Sequence, residues 1–275
     1  DVVHAHSSKA GYLARTAAWA AGVPKVFYSP RGYAFQMLDR SPLSRSLYRA
    51  LEASVSWIGE VVACSESEAE LARALLFARV RVARDAYLGE LPHEISSQEG
   101  PVVIAASGRM SFPRNPEAFV DLAKRLCGSR NGVRCLWIGG GELESTVRER
   151  TRGLGLDGKL EATGWLPHEE ALARLKAVSL FVHYSRWEGL PNSVLEAMAL
   201  GLPVVASDIP SNRELVRPGE HGFLDKTEAE LYERVLALID DAPLRLRMGK
   251  AGRALVEKEY RLPRLLSDLS ALYSE

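Results

Sequence analysis

Short β-branched runs alternate with amphipathic helical stretches from one end of this chain to the other. That alternation leaves few folds open, and it argues for α/β architecture with parallel sheets. In the first part the runs predict strands over 2–5, 25–29, 60–64 and 79–83, with helices over 9–21, 42–56 and 66–76. Ser65 stands three residues before Glu68, ahead of an alanine- and leucine-rich stretch, and reads as a capping box. A polar, aperiodic stretch over 92–100 reads as a linker. Beyond it, strands are expected over 102–107, 133–138, 160–163, 180–184 and 203–206. Helices are expected over 116–126, 142–153, 169–178, 194–200, 228–240 and 243–257, and a last amphipathic helix over 263–273. The second series suffices for a doubly wound domain and the first has too few strands. The chain also opens on Asp1-Val2-Val3-His4-Ala5-His6, a strand already under way with no Met before it, so an amino-terminal portion is expected to be missing.

The 275 residues exceed what one core usually holds, and two domains are the natural division. The expected plan is a partial domain over 1–92, a linker over 93–100, a full domain over 101–257, and a carboxyl-terminal helix over 258–275 that crosses back to the first domain. Balanced charge, 35 basic against 35 acidic side chains, lacks the electrostatic footprint of a nucleic-acid binder. No apolar run approaches the roughly 18 residues of a membrane span, and no signal segment opens the sequence. Cys64, Cys127 and Cys135 are an odd count with no Cys-x-x-Cys, which fits thiols in a reducing cytoplasm better than a disulfide framework or a zinc site.

Two doubly wound domains would enclose a cleft, and ligands of such folds sit beyond the carboxyl ends of the strands. The richest strand-to-helix junction runs from Trp187 to Pro203. Gly189 and Pro191 make the turn, a helix begins near Asn192 or Ser193, and Gly201 with a proline beyond ends it. The helix amino terminus offers free N–H groups and partial positive charge, a phosphate site. Glu188 and Glu196 flank it; carboxylates there repel phosphate, so neutral hydroxyls of a ribose and a hexose are their sensible partners.

A second junction, Ser107-Gly108-Arg109-Met110-Ser111-Phe112-Pro113-Arg114, brings two arginine forks that match phosphate oxygens and would stabilise charge on a leaving group. A solvated basic turn is the plain alternative. The third, Gly139-Gly140-Gly141-Glu142, allows close backbone approach to a phosphate or a base. It is also the best case for a dinucleotide fingerprint, with Glu161 as the ribose acid, yet Glu144 stands where the third glycine belongs.

The histidines say less. His4 and His6 alternate on a strand, so one would face the cleft or both would be satisfied at the strand end. His93 and His168 sit in polar turns, His183 lies near a strand end without an obvious partner, and His221-Gly222 reads as a turn. The arginine-rich stretch over 73–84 reads as a solvated face, with lipid head groups as the alternative. There is no Asp-x-Asp, His-Glu-x-x-His or Gly-x-Ser-x-Gly, so neither a metal nor a serine nucleophile is expected.

Taken together, the three junctions resemble those of the family 4 glycosyltransferases, whose fold is called GT-B. Glu188 and Glu196 reproduce the family's Glu-x7-Glu signature within EGLPNSVLEAMALGLPVVASD. Gly108-Arg109 with Arg114 looks like its glycine-arginine turn, Gly139-Gly140-Gly141-Glu142 its glycine loop, and Gly164-Trp165 its glycine-aromatic pair. The segments from Asp1 to Gly11 and from Tyr28 to Tyr33 look like acceptor-domain segments of bacterial polysaccharide members, so the resemblance covers essentially the whole chain.

By that likeness the second domain binds a sugar nucleotide, as substrate rather than cofactor. Glu196 would hold the ribose, Glu188 a hydroxyl of the transferred sugar, and Gly189, Leu190, Pro191 and Asn192 the hexose or phosphates. Gly108, Gly139, Gly140 and Gly141 would line the donor, and Arg109 and Arg114 would neutralise the departing diphosphate. The resemblance implies retaining, metal-independent hexosyl transfer, from a uridine diphosphate sugar to a lipid-linked or growing bacterial glycan. It places the protein in the cytoplasm, in peripheral contact with the inner membrane face. His6 and Arg31 are the acceptor-side candidates. Three departures stand out: Arg114 replaces a common lysine, Arg31 replaces a common histidine, and the amino-terminal strands are missing. A sugar-nucleotide 2-epimerase on the same architecture, and a nucleotide-binding fragment without turnover, are the alternatives.

Overall fold

The computed structural model describes residues 1–75, 77–92 and 100–274. The chain divides into two units: Asp1–Leu88 with Trp187–Pro191 and Tyr260–Glu275, and Gly89–Arg186 with Asn192–Glu259. The expected linker over 93–100, apart from Gly100, and His93 with it lie outside the described residues.

The first unit holds four parallel strands in sequential order, β1 (Val2–His6), β2 (Lys25–Ser29), β3 (Glu60–Ala63) and β4 (Arg79–Val82). Helices α1 (Ser8–Ala20), α2 (Pro42–Ser54) and α3 (Glu66–Arg73) connect them. Ser41 caps α2 by accepting from the Ser44 N–H, and Pro42 fills its first turn, where no N–H is needed. A buried ion pair fastens α1 to α2: Arg15 donates to Glu52 Oε2 at 2.7 Å, and Glu52 Oε1 accepts from Tyr28 Oη on β2 at 2.8 Å. The last helix, α11 (Leu262–Ser274), belongs to this unit and packs Leu265, Leu269, Leu272 and Tyr273 on Phe27, Val62 and Ala83. Those four positions follow the helical period, which is why a single face meets the sheet.

The second unit carries six parallel strands in the order β10-β9-β8-β5-β6-β7. These are β5 (Val103–Ser107), β6 (Arg134–Ile138), β7 (Leu160–Ala162), β8 (Leu180–His183), β9 (Val204–Ser207) and β10 (Gly222–Asp225). Helices α4 (Pro116–Ser129), α5 (Glu144–Gly153), α6 (His168–Lys176), α7 (Asn192–Ala199), α8 (Pro210–Leu215), α9 (Glu228–Asp240) and α10 (Ala242–Glu259) complete the unit. The order reverses between β5 and β8, the switch point at which doubly wound sheets bind ligands. Ile104, Val182, Val205 and Leu180 are almost wholly buried beneath α4 and α9, whose Phe119, Leu126, Val235 and Leu238 face them.

Two expectations are refined. His221 does lie in a turn, its N–H donating to Arg217 O at 3.1 Å, but it is 1% exposed, and Gly222 opens β10, where a Cβ would run into the Val204 carbonyl. Neither β10 nor α8 shows in the pattern, because both are short and take their order from neighbours. The anticipated start of α5 at Glu142 moves to Glu144, as the glycine loop keeps its own turn.

Candidate functional site

In the second unit the loops leaving β5 and β6 are laminated together by backbone. Gly108 N donates to Ile138 O at 2.9 Å, Trp137 Nε1 to Gly108 O at 3.0 Å, Met110 N to Gly140 O at 2.8 Å, and Leu143 N to Met110 O at 3.0 Å. Gly139 has φ +129, and a Cβ there would strike the Gly108 carbonyl; at Gly141 a Cβ would lie 2.5 Å from Met110 O. Glycine is required on both counts, conformation and contact. Gly139 N also donates to Thr163 Oγ1 at 3.1 Å, which joins the loop after β7 to the other two.

Arg114 lies between two elements. Its Nη1 donates to His183 Nε2, at the end of β8, at 2.8 Å and to Ser193 Oγ, in the first turn of α7, at 3.2 Å. The turn that aims it is clipped down: Arg186 N donates to Pro113 O at 2.8 Å, and the Arg186 guanidinium stacks on Phe112 and donates to its carbonyl. His183 therefore has a partner that its sequence surroundings did not reveal, and it accepts through Nε2. Helix α7 ends in a Schellman motif, Leu202 N to Ala197 O at 3.0 Å and Gly201 N to Met198 O at 2.9 Å, with Gly201 at φ +77. Its amino-terminal N–H groups and the Arg114 guanidinium form one positive locus.

Arg109 is exposed, and its Nε donates to Glu142 Oε2 at 2.8 Å. An exposed pair of this kind contributes at most about 1 kcal/mol, so an incoming anion displaces it readily. Glu196, on α7, is half-buried; desolvation raises its carboxyl pKa above the usual range, while His168 and Arg114 pull it back. The features of the dinucleotide reading do different work. Glu144 covers Gly140 and binds Arg148 at 2.8 Å, and Glu161 pairs with Arg174 on the surface.

In the first unit His4 is fully engaged. Ser29 Oγ donates its only hydrogen to Val62 O at 2.7 Å, so it accepts from His4 Nε2–H at 2.9 Å; Tyr273 Oη then donates to His4 Nδ1 at 2.5 Å. Burial, the stacked His6 ring 4.5 Å away and the Arg31 charge lower the His4 pKa to about 4. His6 is exposed, its pKa also lowered, by partial burial first and then by Arg31. Arg31 holds a left-handed φ of +58 and pairs with Asp85, a partner with no signal in the sequence.

The structure groups Gly108, Gly139, Gly140, Gly141, Arg109, Arg114, Asn192 and Glu196 in the second unit; Glu188, Gly189, Leu190 and Pro191 belong to the first, with His6 and Arg31. Arg73 and Arg84 each lie 3.6 Å from Glu66, and Arg81 lies 3.0 Å from Glu60, so three arginines of the basic stretch over 73–84 pair with glutamates that precede it. Among the described residues no cluster of three His, Cys, Asp or Glu side chains is disposed to hold a metal ion. Among them, too, no helix is long and apolar enough to cross a membrane.

Two parallel-stranded units, one wound 3-2-1-4-5-6 with glycine and arginine turns at its switch point, define an α/β chain of the GT-B class. The chain belongs to the glycosyl transferases of group 1, whose family model matches residues 90–255, and a glycosyl transferase 4-like domain model matches residues 1–84. Over 99% of its length it is 27% identical to the UDP-Gal:alpha-D-GlcNAc-diphosphoundecaprenol alpha-1,3-galactosyltransferase of Escherichia coli, of which it spans 75%. It is 30% identical over 62% of its length to the lipopolysaccharide core biosynthesis mannosyltransferase LpsB of Rhizobium meliloti, spanning 50% of that protein. Among solved structures, HepE of Anabaena in complex with UDP-glucose superposes with a TM-score of 0.83 at 18% identity, covering 100% of this chain and 78% of that one. Sucrose-phosphate synthase of Thermosynechococcus elongatus gives 0.85 at 17% identity, covering 99% and 73%.

Proposed function

We propose that this glycosyltransferase moves a hexosyl group from a uridine diphosphate sugar to a lipid-linked bacterial glycan, with retention of anomeric configuration and without a metal. The observation that carries the donor reading is Arg114, bonded to Ser193 at the amino terminus of α7 and to His183, beside backbone turns that only glycine can make. A diphosphate suits that locus: fixed N–H dipoles and a guanidinium that need no reorganisation as charge develops on the leaving oxygen. Arg109 adds a second cation once its exposed pair with Glu142 opens. Glu196 accepts the ribose hydroxyls and Glu188 a hydroxyl of the transferred sugar. Transfer then proceeds by attack of the acceptor hydroxyl on the face the nucleotide leaves, the departing phosphate taking the proton, and the protein's task is positioning and charge neutralisation.

The acceptor class takes its support from the Escherichia coli relative, named for a sugar on diphosphoundecaprenol, and such an acceptor implies work at the cytoplasmic membrane face. The two glutamates supply the test. Glu196→Ala is expected to weaken uridine diphosphate by about 1–3 kcal/mol, for loss of charge-assisted hydrogen bonds. Glu188→Ala should leave that affinity nearly intact and lose discrimination among sugars. Calorimetric titration with the nucleotide and its sugar esters reads both, and equal losses in the two variants would refute the separate roles.

A further inference from the structure

Ser65 and Glu68 look at first like helix capping and no more. Ser65 Oγ does accept from Glu68 N at 3.1 Å, as a cap should. The carboxylate, however, does not return to the backbone of Ser65. Glu68 Oε2 accepts from Cys64 N at 2.9 Å, and Oε1 accepts from Gly32 N at 2.6 Å. The Ser65 hydroxyl, its acceptor side used by the cap, donates to the Gly189 carbonyl at 3.0 Å. Gly189 sits directly on this arrangement: a Cβ there would lie 3.0 Å from Gly32 N, 3.2 Å from the Arg31 carbonyl carbon and 3.4 Å from Glu68 Oε1. Both side chains are buried, 0% and 2% exposed, in the same unit as Trp187–Pro191.

These two residues therefore hold two turns at once. One is Arg31-Gly32, left-handed at both residues and held by the Glu68 carboxylate and the Arg31–Asp85 pair. The other carries Glu188 and Gly189. Resting on the donor reading above, we propose that Ser65 and Glu68 are positioning residues for transfer, which lock the 187–191 turn against the Arg31-Gly32 turn. A carboxylate is needed at 68 because two N–H donors converge on it. An amide of the same shape has one acceptor oxygen for them and turns its own N–H toward the other. Glu188 belongs to this unit, whereas Arg114, Ser193 and Glu196, on which the nucleotide reading rests, belong to the other. Loss of the lock should thus cost turnover and spare nucleotide affinity.

The test uses the whole chain with Glu68→Gln, Ser65→Ala and Ser65→Thr, the last retaining the hydroxyl. Amide hydrogen exchange is read over 30–33 and 186–192, uridine diphosphate affinity by calorimetry, and turnover with UDP-glucose and a diphosphate-lipid acceptor. Exchange at both turns should accelerate tenfold or more in Glu68→Gln and Ser65→Ala. The dissociation constant should stay within twofold, kcat should fall at least tenfold, and Ser65→Thr should restore both exchange and kcat. Unchanged exchange over 186–192 in the folded variants would overturn the proposal, as would nucleotide affinity falling in step with kcat. If Glu68→Gln does not fold, the Ser65 pair decides alone. A wild-type chain that binds no uridine diphosphate would instead bring down the donor reading, while the exchange result still judges the lock.

Discussion

Removing the Glu52 carboxylate should unfold the first unit at mild denaturant, and the size of the effect follows from what it leaves behind. Arg15 is 1% exposed and Glu52 4%. The guanidinium makes further bonds to Gly11 O at 3.1 Å and Val55 O at 3.3 Å and lies 3.9 Å from the Tyr28 ring centroid, so it cannot swing out to water. Glu52→Leu strands that charge and removes the acceptor of Tyr28 Oη. Breaking a buried pair from one side costs about 3–5 kcal/mol. With a urea dependence of about 1.5 kcal/mol per molar, the midpoint should drop by about 2–3 M. Replacing both partners, Arg15→Met with Glu52→Leu, removes the stranded charge and should recover most of the loss. Urea titration followed by the fluorescence of Trp19 and Trp57, which pack edge to face in this unit, reads the effect. A single variant that loses less than about 1 kcal/mol, or a double variant worse than the single, would refute the reasoning.

Two further outcomes follow from the geometry. Gly139→Ala forces both a left-handed residue and a clash with the Gly108 carbonyl, so the laminated loops must shift; uridine diphosphate affinity measured by calorimetry should fall at least tenfold, and unchanged affinity would contradict the required contact. The second concerns pH. His4 titrates at about 4 in the folded protein against 6.5 for the free side chain, so the native state favours the neutral ring. Stability from this group is complete above pH 6.5 and is lost as pH falls toward 4. The full shift would correspond to about 3.4 kcal/mol, and solvent screening of the half-buried ring reduces it to about 1–2 kcal/mol. His4→Asn should flatten that part of the urea-stability profile between pH 7 and 4; an unchanged slope would show that the ring does not carry it.

Much was legible in the residues. Every strand of the first unit and all but β10 of the second lie within a residue or two of the expected spans, because β-branched runs between polar turns have no other stable use in a buried sheet. Gly139 and Gly141 read as positions of close approach by a phosphate or a base, and the groups the structure brings close to them are the Gly108 and Met110 carbonyls. The partners did not read. Asp85 meets Arg31 across 54 residues and Tyr273 meets His4 across 269, and no local pattern encodes such a pairing. The acceptor role of His183 is equally non-local, set by an arginine 69 residues away.

Ser65 and Glu68 draw the line most clearly. Their three-residue spacing announces a cap, since a cap is a local matter of one helical turn. Where the carboxylate goes is not local: the amides of Cys64 and Gly32 reach it only because β2 and β3 lie side by side and their ends turn the same way. The Trp187–Pro191 turn shows the same limit. Sequence order puts it between β8 and α7, yet it belongs with the first unit, where Ser65 holds its carbonyl. Periodicity and turn chemistry set the elements and the residue types of the site, because those act within a few residues. Which side chains share a proton, a charge or a backbone contact was decided by the packing of elements far apart in the chain.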